Sequence, residues 1–438
     1  MATPALRTTE VVHNWRFPRR VTTTRVTDPD LDVVVFGATS FVGKILCQYL
    51  VEQFGVGGGL RWAAAGRSKV KLEGLRESLG DAATDLKLLI ADAADADALR
   101  RMCAQTRVVS STVGPYALYG EPLLRVCAET GTDYCDLTAE VQWIRRMIRS
   151  HERRAAESGA RIVHCCGFDS IPSDLGVFCL QQQALERFGQ PCVNIKMRVK
   201  AMRGGVSGGT VASMLNLFQE VAANPPLRRE LADPYSLCPA GHSFMARQHN
   251  VKFAEYDADF EAWAAPFIMA AVNTRIVHRS NALSDNAYGD TFRYQEAMLT
   301  GRGVKGKAMA FGASAGLAGF LLAAAFRPSR WALEKLAPAP GAGPSAESRA
   351  RGFFDLRFAG ETADGRKLFA KVTGDTDPGY AATSKMLGQA AACMAQDFAK
   401  ADKPGGFWTP ATMFGARLVD RLQAHAGMTF ELVDRPRG

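Results

Sequence analysis

The stretch from Val33 to Gly43 constrains this chain more than any other. Val33, Val34 and Val35 lead into Phe36 and stop at Gly37, and a helix is predicted over Phe41–Phe54. A strand, a tight glycine turn and a helix in that order make a dinucleotide cradle. The turn brings backbone close to a pyrophosphate, and the helix presents its first amides and positive dipole end to it. Gly37 and Gly43 keep the outer positions of a G-x-x-G-x-x-G pattern, with Ser40 in place of the middle glycine. Gly37, Thr39, Ser40, Phe41 and Gly43 are therefore candidate cofactor-binding residues. The plain alternative is an ordinary glycine turn before a helix.

A second apolar run over 61–65 ends in Gly66, Arg67 and Ser68 rather than in an acidic residue. An Asp or Glu there would accept from a ribose 2′-OH and repel a 2′-phosphate, whereas a guanidinium and a hydroxyl welcome the phosphate. The expected cofactor is NADP(H), with Arg67 and Ser68 at its 2′-phosphate. Arg67 as a solvated surface charge is the competing reading.

Strand-like runs continue at 86–90, 108–111, 134–137 and 161–166, separated by helical stretches such as 122–129 and 139–157. This alternation predicts an α/β fold with a Rossmann-type doubly wound parallel sheet. Ligands of such sheets bind outside the carboxyl ends of the strands. That rule adds Asp92, Val113, Gly114, Pro115 and Tyr116 to the cofactor-binding candidates and places Asp169 and Ser170 nearby. Asp92 either meets the adenine edge or caps the next helix; Asp169 and Ser170 either orient substrate or cap theirs.

From about residue 171 the pattern changes. A half-exposed strand over 193–201, a glycine-rich turn at 204–210, and a hairpin of 353–358 with 367–373 around Gly365 predict a second α/β domain with a mixed or antiparallel sheet. The expected boundaries are an extension over 1–30, the NADP domain over 31–170, the second domain over 171–375, and helices over 376–438 returning to the first. Residues 308–326 carry no charged side chain and are flanked by Lys305, Lys307, Arg327 and Arg330, with Trp331 beyond. Two readings stand: a helix on or in a membrane face, or a buried core helix. A Pro-rich linker follows over 337–345.

At 438 residues the chain exceeds one small core, and 47% hydrophobic with 22% charged residues is the balance of a globular protein. The formal charge of +9 comes without an aromatic-interleaved basic stripe, so an anionic cofactor or lipid explains it better than nucleic acid. The ten cysteines form no C-x-x-C pair and no metal-ligand spacing, which predicts no metal site and a reducing compartment. The start of the chain has no apolar signal core, so a cytoplasmic location is expected, with a peripheral place on a membrane as its refinement. Vicinal Cys165 and Cys166 read as two buried strand residues.

The segments 37–43 (GATSFVG), 65–67 (AGR), 112–116 (TVGPY), 134–138 (YCDLT), 167–174 (GFDSIPSD), 207–210 (SGGT) and 374–380 (GDTDPGY) together resemble the saccharopine dehydrogenase-like oxidoreductases, most closely their trans-acting enoyl reductase branch. The resemblance runs from about residue 31 to about 430. It implies an NADP-binding Rossmann domain, a second α/β domain, and reduction of a carbon–carbon double bond in a lipid or polyketide intermediate. The departures are Ser40 for the usual middle glycine and Val42 for a common threonine.

For enoyl reduction, Val113, Gly114, Pro115 and Tyr116 form the expected nicotinamide floor, Tyr116 or Tyr119 the proton source, and Asp169 a substrate-orienting group. No His/Asp or Ser/Tyr/Lys constellation stands out in the sequence. Two other functions remain open. One is a saccharopine-type amino-acid dehydrogenase, for which Arg198, Arg203 and Arg275 would gather substrate carboxylates. The other is a non-catalytic NADP-binding scaffold at a membrane. The expected partners are a lipid or acyl/polyketide small molecule, a membrane surface through 308–326, and a second copy in a homodimer, without nucleic acid.

Overall fold

The computed structural model describes residues 29–204, 208–224, 226–326, 328, 329, 331, 335 and 343–434. The extension over 1–30, apart from its last two residues, lies outside them, as do Ser207, Arg327, Arg330 and the linker up to residue 342. The described chain forms two compact units, one of 29–168 with 380–426 and the other of 169–379 with 427–434.

The first unit begins with β1 (Leu31–Phe36), α1 (Phe41–Phe54), β2 (Trp62–Gly66), α2 (Lys69–Ser78), β3 (Lys87–Ile90) and α3 (Ala96–Cys103). It continues through β4 (Thr106–Ser111), α4 (Tyr116–Tyr119), α5 (Glu121–Thr130), β5 (Asp133–Asp136), α6 (Val141–Ser158) and β6 (Arg161–Val163). All six residues of β1 are buried, as expected of a central parallel strand covered on both faces.

The second unit contains α7 (Ile171–Phe188), β7 (Cys192–Arg203), α8 (Gly208–Ala223), α9 (Pro226–Ala232), β8 (Glu255–Asp257) and β9 (Ala262–Pro266). After these come α10 (Ala270–Leu283), β10 (Arg293–Gly301), α11 (Gly303–Ala325), α12 (Ala346–Ala350), β11 (Phe353–Thr362) and β12 (Lys367–Gly374). The chain then re-enters the first unit with α13 (Ala381–Gln396), β13 (Gly406–Trp408), α14 (Pro410–Phe414) and α15 (Ala416–His425). It ends on β14 (Met428–Val433).

Seven parallel strands in the order β13-β6-β5-β4-β1-β2-β3 form the first sheet. The crossover from β3 back beside β1 to β4 is the Rossmann reversal, and it puts the switch point at the carboxyl ends of β1 and β4. The second sheet, β14-β12-β11-β7-β10-β9-β8, is mixed: β7 and β10 are parallel and every other pair is antiparallel. Its β11–β12 hairpin turns through Gly365 at φ +83°, a left-handed conformation that favours glycine.

Three expectations are corrected. The last strand does not return with the C-terminal helices: β14 pairs with β12 at the edge of the second sheet, where Phe430 fills the core. Asp169 goes with the second unit. Cys165 and Cys166 are buried but lie past the end of β6, with Cys165 at φ +60°.

Small residues let α13 pack closely in the first unit. A Cβ on Gly388 would come within 3.0 Å of the Tyr49 ring of α1, and Gln389 donates to the Tyr49 hydroxyl at 2.6 Å. The returning segment also completes a buried ion cluster. Asp133 takes Arg161 at 2.5 Å and Lys400 at 2.6 Å. Burial alone would raise the Asp133 carboxyl, but Lys400 and Arg161 hold it below the usual range.

The uncharged segment forms most of α11. Among its described residues only a narrow stripe of small ones, Gly306, Ala310, Ser314 and Ala324, is buried. The Ser314 hydroxyl donates to the Ala310 carbonyl at 2.7 Å, so the helix satisfies its own polar group. Met309, Phe311, Leu321, Leu322 and Phe326 are exposed, and only 17% of the 18-residue apolar window is buried. The core-helix reading does not describe this helix.

Candidate active site

At the switch point the backbone closes around two glycines. Gly37 adopts φ +85°, and a Cβ there would lie 2.6 Å from Val113 Cγ2. A Cβ on Gly43 would come 2.2 Å from the Gly37 carbonyl oxygen. The turn is tied to β2 by the amides of Gly37 and Ala38, which both donate to the Ala65 carbonyl at 3.0 and 3.1 Å. Ser40 faces inward, where its Oγ accepts from Gly43 N at 2.9 Å and lies 3.0 Å from Thr112 Oγ1. Serine therefore replaces the middle glycine at no structural loss, because its hydroxyl caps α1 and ties it to β4. The amides of Thr39 and Val42 take no acceptor among the described residues. This pair of donors at the positive end of a fourteen-residue helix fits a pyrophosphate.

Past β2, Arg67 is exposed and makes no hydrogen bond or ion pair among the described residues. Ser68 caps α2, accepting from Lys71 N at 3.4 Å. A charged fork left in solvent beside a helix start suits a 2′-phosphate. Asp92, past β3, is exposed and accepts from Ala94 N at 2.9 Å; the cap of α3 is Asp95 instead. Phe41 packs edge-on against Tyr380 at 5.1 Å.

The loop after β4 places the expected residues in different surroundings. Thr112, which the sequence did not single out as a contact, is buried and donates to the Gly37 carbonyl at 2.9 Å, locking the cradle to β4. Val113, Gly114 and Pro115 run through a cis Gly114–Pro115 bond into α4. Tyr116 is buried, and its hydroxyl donates to the Ser111 carbonyl at 2.9 Å while accepting from Leu137 N at 3.4 Å. That hydroxyl pins β4 to the end of β5. Tyr119, on the last residue of α4, is 52% exposed, which makes it the better placed of the two tyrosines for a proton role.

Two features escaped the sequence reading. Glu140 is buried, and its carboxylate accepts from the amides of Tyr116 at 2.9 Å and Ala117 at 2.8 Å. A His/Asp pair does exist: His164 Nδ1 lies 2.8 Å from Asp136 Oδ2, both buried at the carboxyl ends of β6 and β5. The alternation of Asp136, Thr138 and Glu140 from the end of β5 onward was the available signal. His164 is 28 residues away in sequence, and only the parallel pairing of β5 with β6 unites them.

In the second unit, Asp169 is half-buried and engaged. Ser170 does not cap α7; it donates to Asn273 Oδ1 at 3.0 Å. Asn273 in turn donates to Glu296 at 2.9 Å, and burial pushes the Glu296 carboxyl up to about 7. Arg198 is buried against Asp257 at 2.7 Å and donates to Gln295. Arg275 is buried and donates to Ser236 and to the carbonyls of Ala271 and Leu231. Of the three arginines, only Arg203 is exposed. No group of three or more His, Cys, Asp or Glu side chains suited to a metal occurs among the described residues.

A Rossmann sheet whose cradle fits a pyrophosphate, with a free guanidinium at the end of β2, defines an NADP-dependent oxidoreductase. Residues 33–163 match the saccharopine dehydrogenase NADP binding domain. A trans-acting enoyl reductase of Mycobacterium tuberculosis is 41% identical, over 92% of this chain and 98% of its own length. Another from Mycobacterium bovis is 37% identical, over 90% of this chain and 96% of its own. The chain belongs to the trans-acting enoyl reductase family. Its fold is similar to that of apo saccharopine dehydrogenase (L-Glu forming) from Saccharomyces cerevisiae, with a TM-score of 0.52 at 13% identity over 92% of this chain and all of that one.

Cofactor choice gives a direct test of Arg67. Arg67→Ala is expected to weaken NADPH about ten-fold, the loss of one charge-assisted contact, while leaving NADH unchanged. Titration calorimetry with both cofactors checks it; equal weakening of the two would remove Arg67 from the 2′-phosphate.

Proposed function

We propose that this chain reduces the carbon–carbon double bond of an α,β-unsaturated acyl thioester in lipid or polyketide synthesis, working in the cytoplasm at the face of a membrane. Bound NADPH supplies the hydride. The cradle at Gly37, Thr39, Ser40, Phe41 and Gly43 holds the pyrophosphate, Arg67 and Ser68 take the 2′-phosphate, and Asp92 meets the adenine edge. Val113, Gly114 and Pro115 form the nicotinamide floor, with Tyr116 buttressing it from beneath. Hydride addition at the β-carbon leaves negative charge on the thioester oxygen and calls for a proton at the α-carbon. Tyr119 supplies that proton from the exposed end of α4.

The state of the arginines favours this reading over an amino-acid dehydrogenase. A substrate with several carboxylates needs convergent cations, whereas Arg198 and Arg275 are buried and engaged within their own unit. The exposed apolar surface of α11 supports the membrane location. Lys305 and Lys307 at one end add the positive charge that anionic headgroups attract.

The test is NADPH oxidation with a panel of enoyl thioesters of increasing chain length. Wild-type protein is expected to turn over, and Tyr119→Phe to lose about a hundred-fold or more in kcat with NADPH affinity unchanged. Turnover with an amino acid and a keto acid instead of an enoyl thioester would favour the dehydrogenase reading. NADPH binding without turnover on either panel would favour the scaffold.

A further inference from the structure

We propose that Glu140 is a positioning residue for the nicotinamide half of the cofactor, acting through the backbone of Tyr116 and Ala117. The inference rests on Val113, Gly114 and Pro115 being the nicotinamide floor. Glu140 is 5% exposed, and its carboxylate uses one oxygen for each amide, Oε1 for Tyr116 at 2.9 Å and Oε2 for Ala117 at 2.8 Å. This fork fixes the two peptide planes that follow the cis Gly114–Pro115 bond.

Simple helix capping does not account for a charge at this position. The helix it caps, α4, has four residues, and a serine or asparagine can satisfy an N-terminal amide without burying an ion. Taking a carboxylate out of water is costly, and the return is rigidity of the loop it grips.

Glu140 is itself held. Its own amide donates to Thr138 Oγ1 at 3.2 Å, Thr138 N donates to Asp136 Oδ1 at 3.1 Å, and Asp136 Oδ2 meets His164 Nδ1 at 2.8 Å. The His164 ring is packed against Trp143 at 5.1 Å and Phe407 at 5.6 Å. Trp143 also packs against Tyr116 at 5.4 Å, and a Cβ on Gly120 would meet its indole at 2.7 Å. The end of β6, the end of β5 and the loop after β4 are thus joined by one short chain of hydrogen bonds and rings within a single unit. The cradle at Gly37 to Gly43 has braces of its own, in Thr112 and Ala65, and meets the floor where Val113 lies beside Gly37.

This separation predicts that the two halves of the cofactor respond differently. Glu140→Gln keeps the side-chain volume but removes the charge and turns one acceptor into a donor facing an amide. In the full chain it is expected to bind 2′,5′-ADP, which occupies only the adenosine end, within about two-fold of wild type. NADPH affinity should fall about ten-fold, and hydrogen exchange at the Tyr116 and Ala117 amides should accelerate. With an enoyl thioester, kcat should fall while the KM for that thioester holds, and Glu140→Asp should recover part of the NADPH affinity. Parallel weakening of NADPH and 2′,5′-ADP would overturn the proposal, since it marks general damage to the unit. Unchanged NADPH affinity with faster exchange at the two amides would also overturn it. Because both ligands are read by binding, the comparison stands even if the wild-type protein fails to reduce an enoyl substrate.

Discussion

Replacing Gly43 with alanine is expected to weaken NADPH roughly ten- to a hundred-fold, corresponding to about 1 to 3 kcal/mol of overpacking. The new methyl would lie 2.2 Å from the Gly37 carbonyl oxygen and 2.9 Å from two backbone atoms of Ala38. Each of these is main chain, so no side-chain rotation relieves the clash. The start of α1 must lift away from the turn, carrying the Thr39 and Val42 amides out of line together. Calorimetric titration with NADPH measures the loss, and circular dichroism on the same sample checks that the fold survives. An unchanged NADPH affinity in a folded Gly43→Ala protein would mean that the cofactor does not sit on this turn.

The second large effect is expected on α11. Leu321→Asp combined with Leu322→Asp should reduce binding to anionic phospholipid vesicles by at least about a hundred-fold, since a carboxylate within hydrocarbon costs roughly 2.5 to 3.5 kcal/mol. NADPH affinity should stay as it is, because the cradle belongs to the other unit. The helix is apolar around its exposed circumference rather than along one stripe, and among its described residues the fully buried ones are all small. Such a surface suits immersion better than docking on a single face. Vesicle flotation of the two proteins decides the matter; equal flotation, or no flotation of the wild type, would place the helix against something other than lipid.

Local periodicity made much of the fold legible. Val33 to Phe36 read as a strand because a central parallel strand has no polar face, and Gly37 marked where it must turn. The hairpin at Gly365 was legible for the same reason, since an Asp-Gly pair between alternating runs leaves few other conformations. The path of β14 was not legible. Nothing in residues 428–433 says which sheet they complete, and that choice depends on a pairing with β12 far away in sequence.

The candidate site divides in a similar way. The candidates at and just beyond the turns after β1 and β2, Gly37, Gly43 and Arg67, were visible from their spacing. Tyr116 was visible as a residue, but its buried hydroxyl bond to Ser111 was not. Glu140 and His164 were missed because each gains meaning only from a neighbouring strand. Arg198 and Arg275 looked available in the sequence, and only their burial reveals that they are occupied.

The route of the chain also bears on the order in which the protein can be made. Residues 380–426, which include α13 and Lys400, belong to the first unit but emerge from the ribosome after all of 169–379. At about 5 to 20 residues per second, synthesis of 169–379 alone holds back the helix that covers β1, β4 and β5 by roughly ten to forty seconds. Asp133 meanwhile has Arg161 but not Lys400. The nucleotide unit is therefore begun first and completed only after nearly all of the second, whose last strand, β14, alone follows it. During that interval the face of its sheet that α13 will cover is open, and sheltering such a face is a chaperone's work.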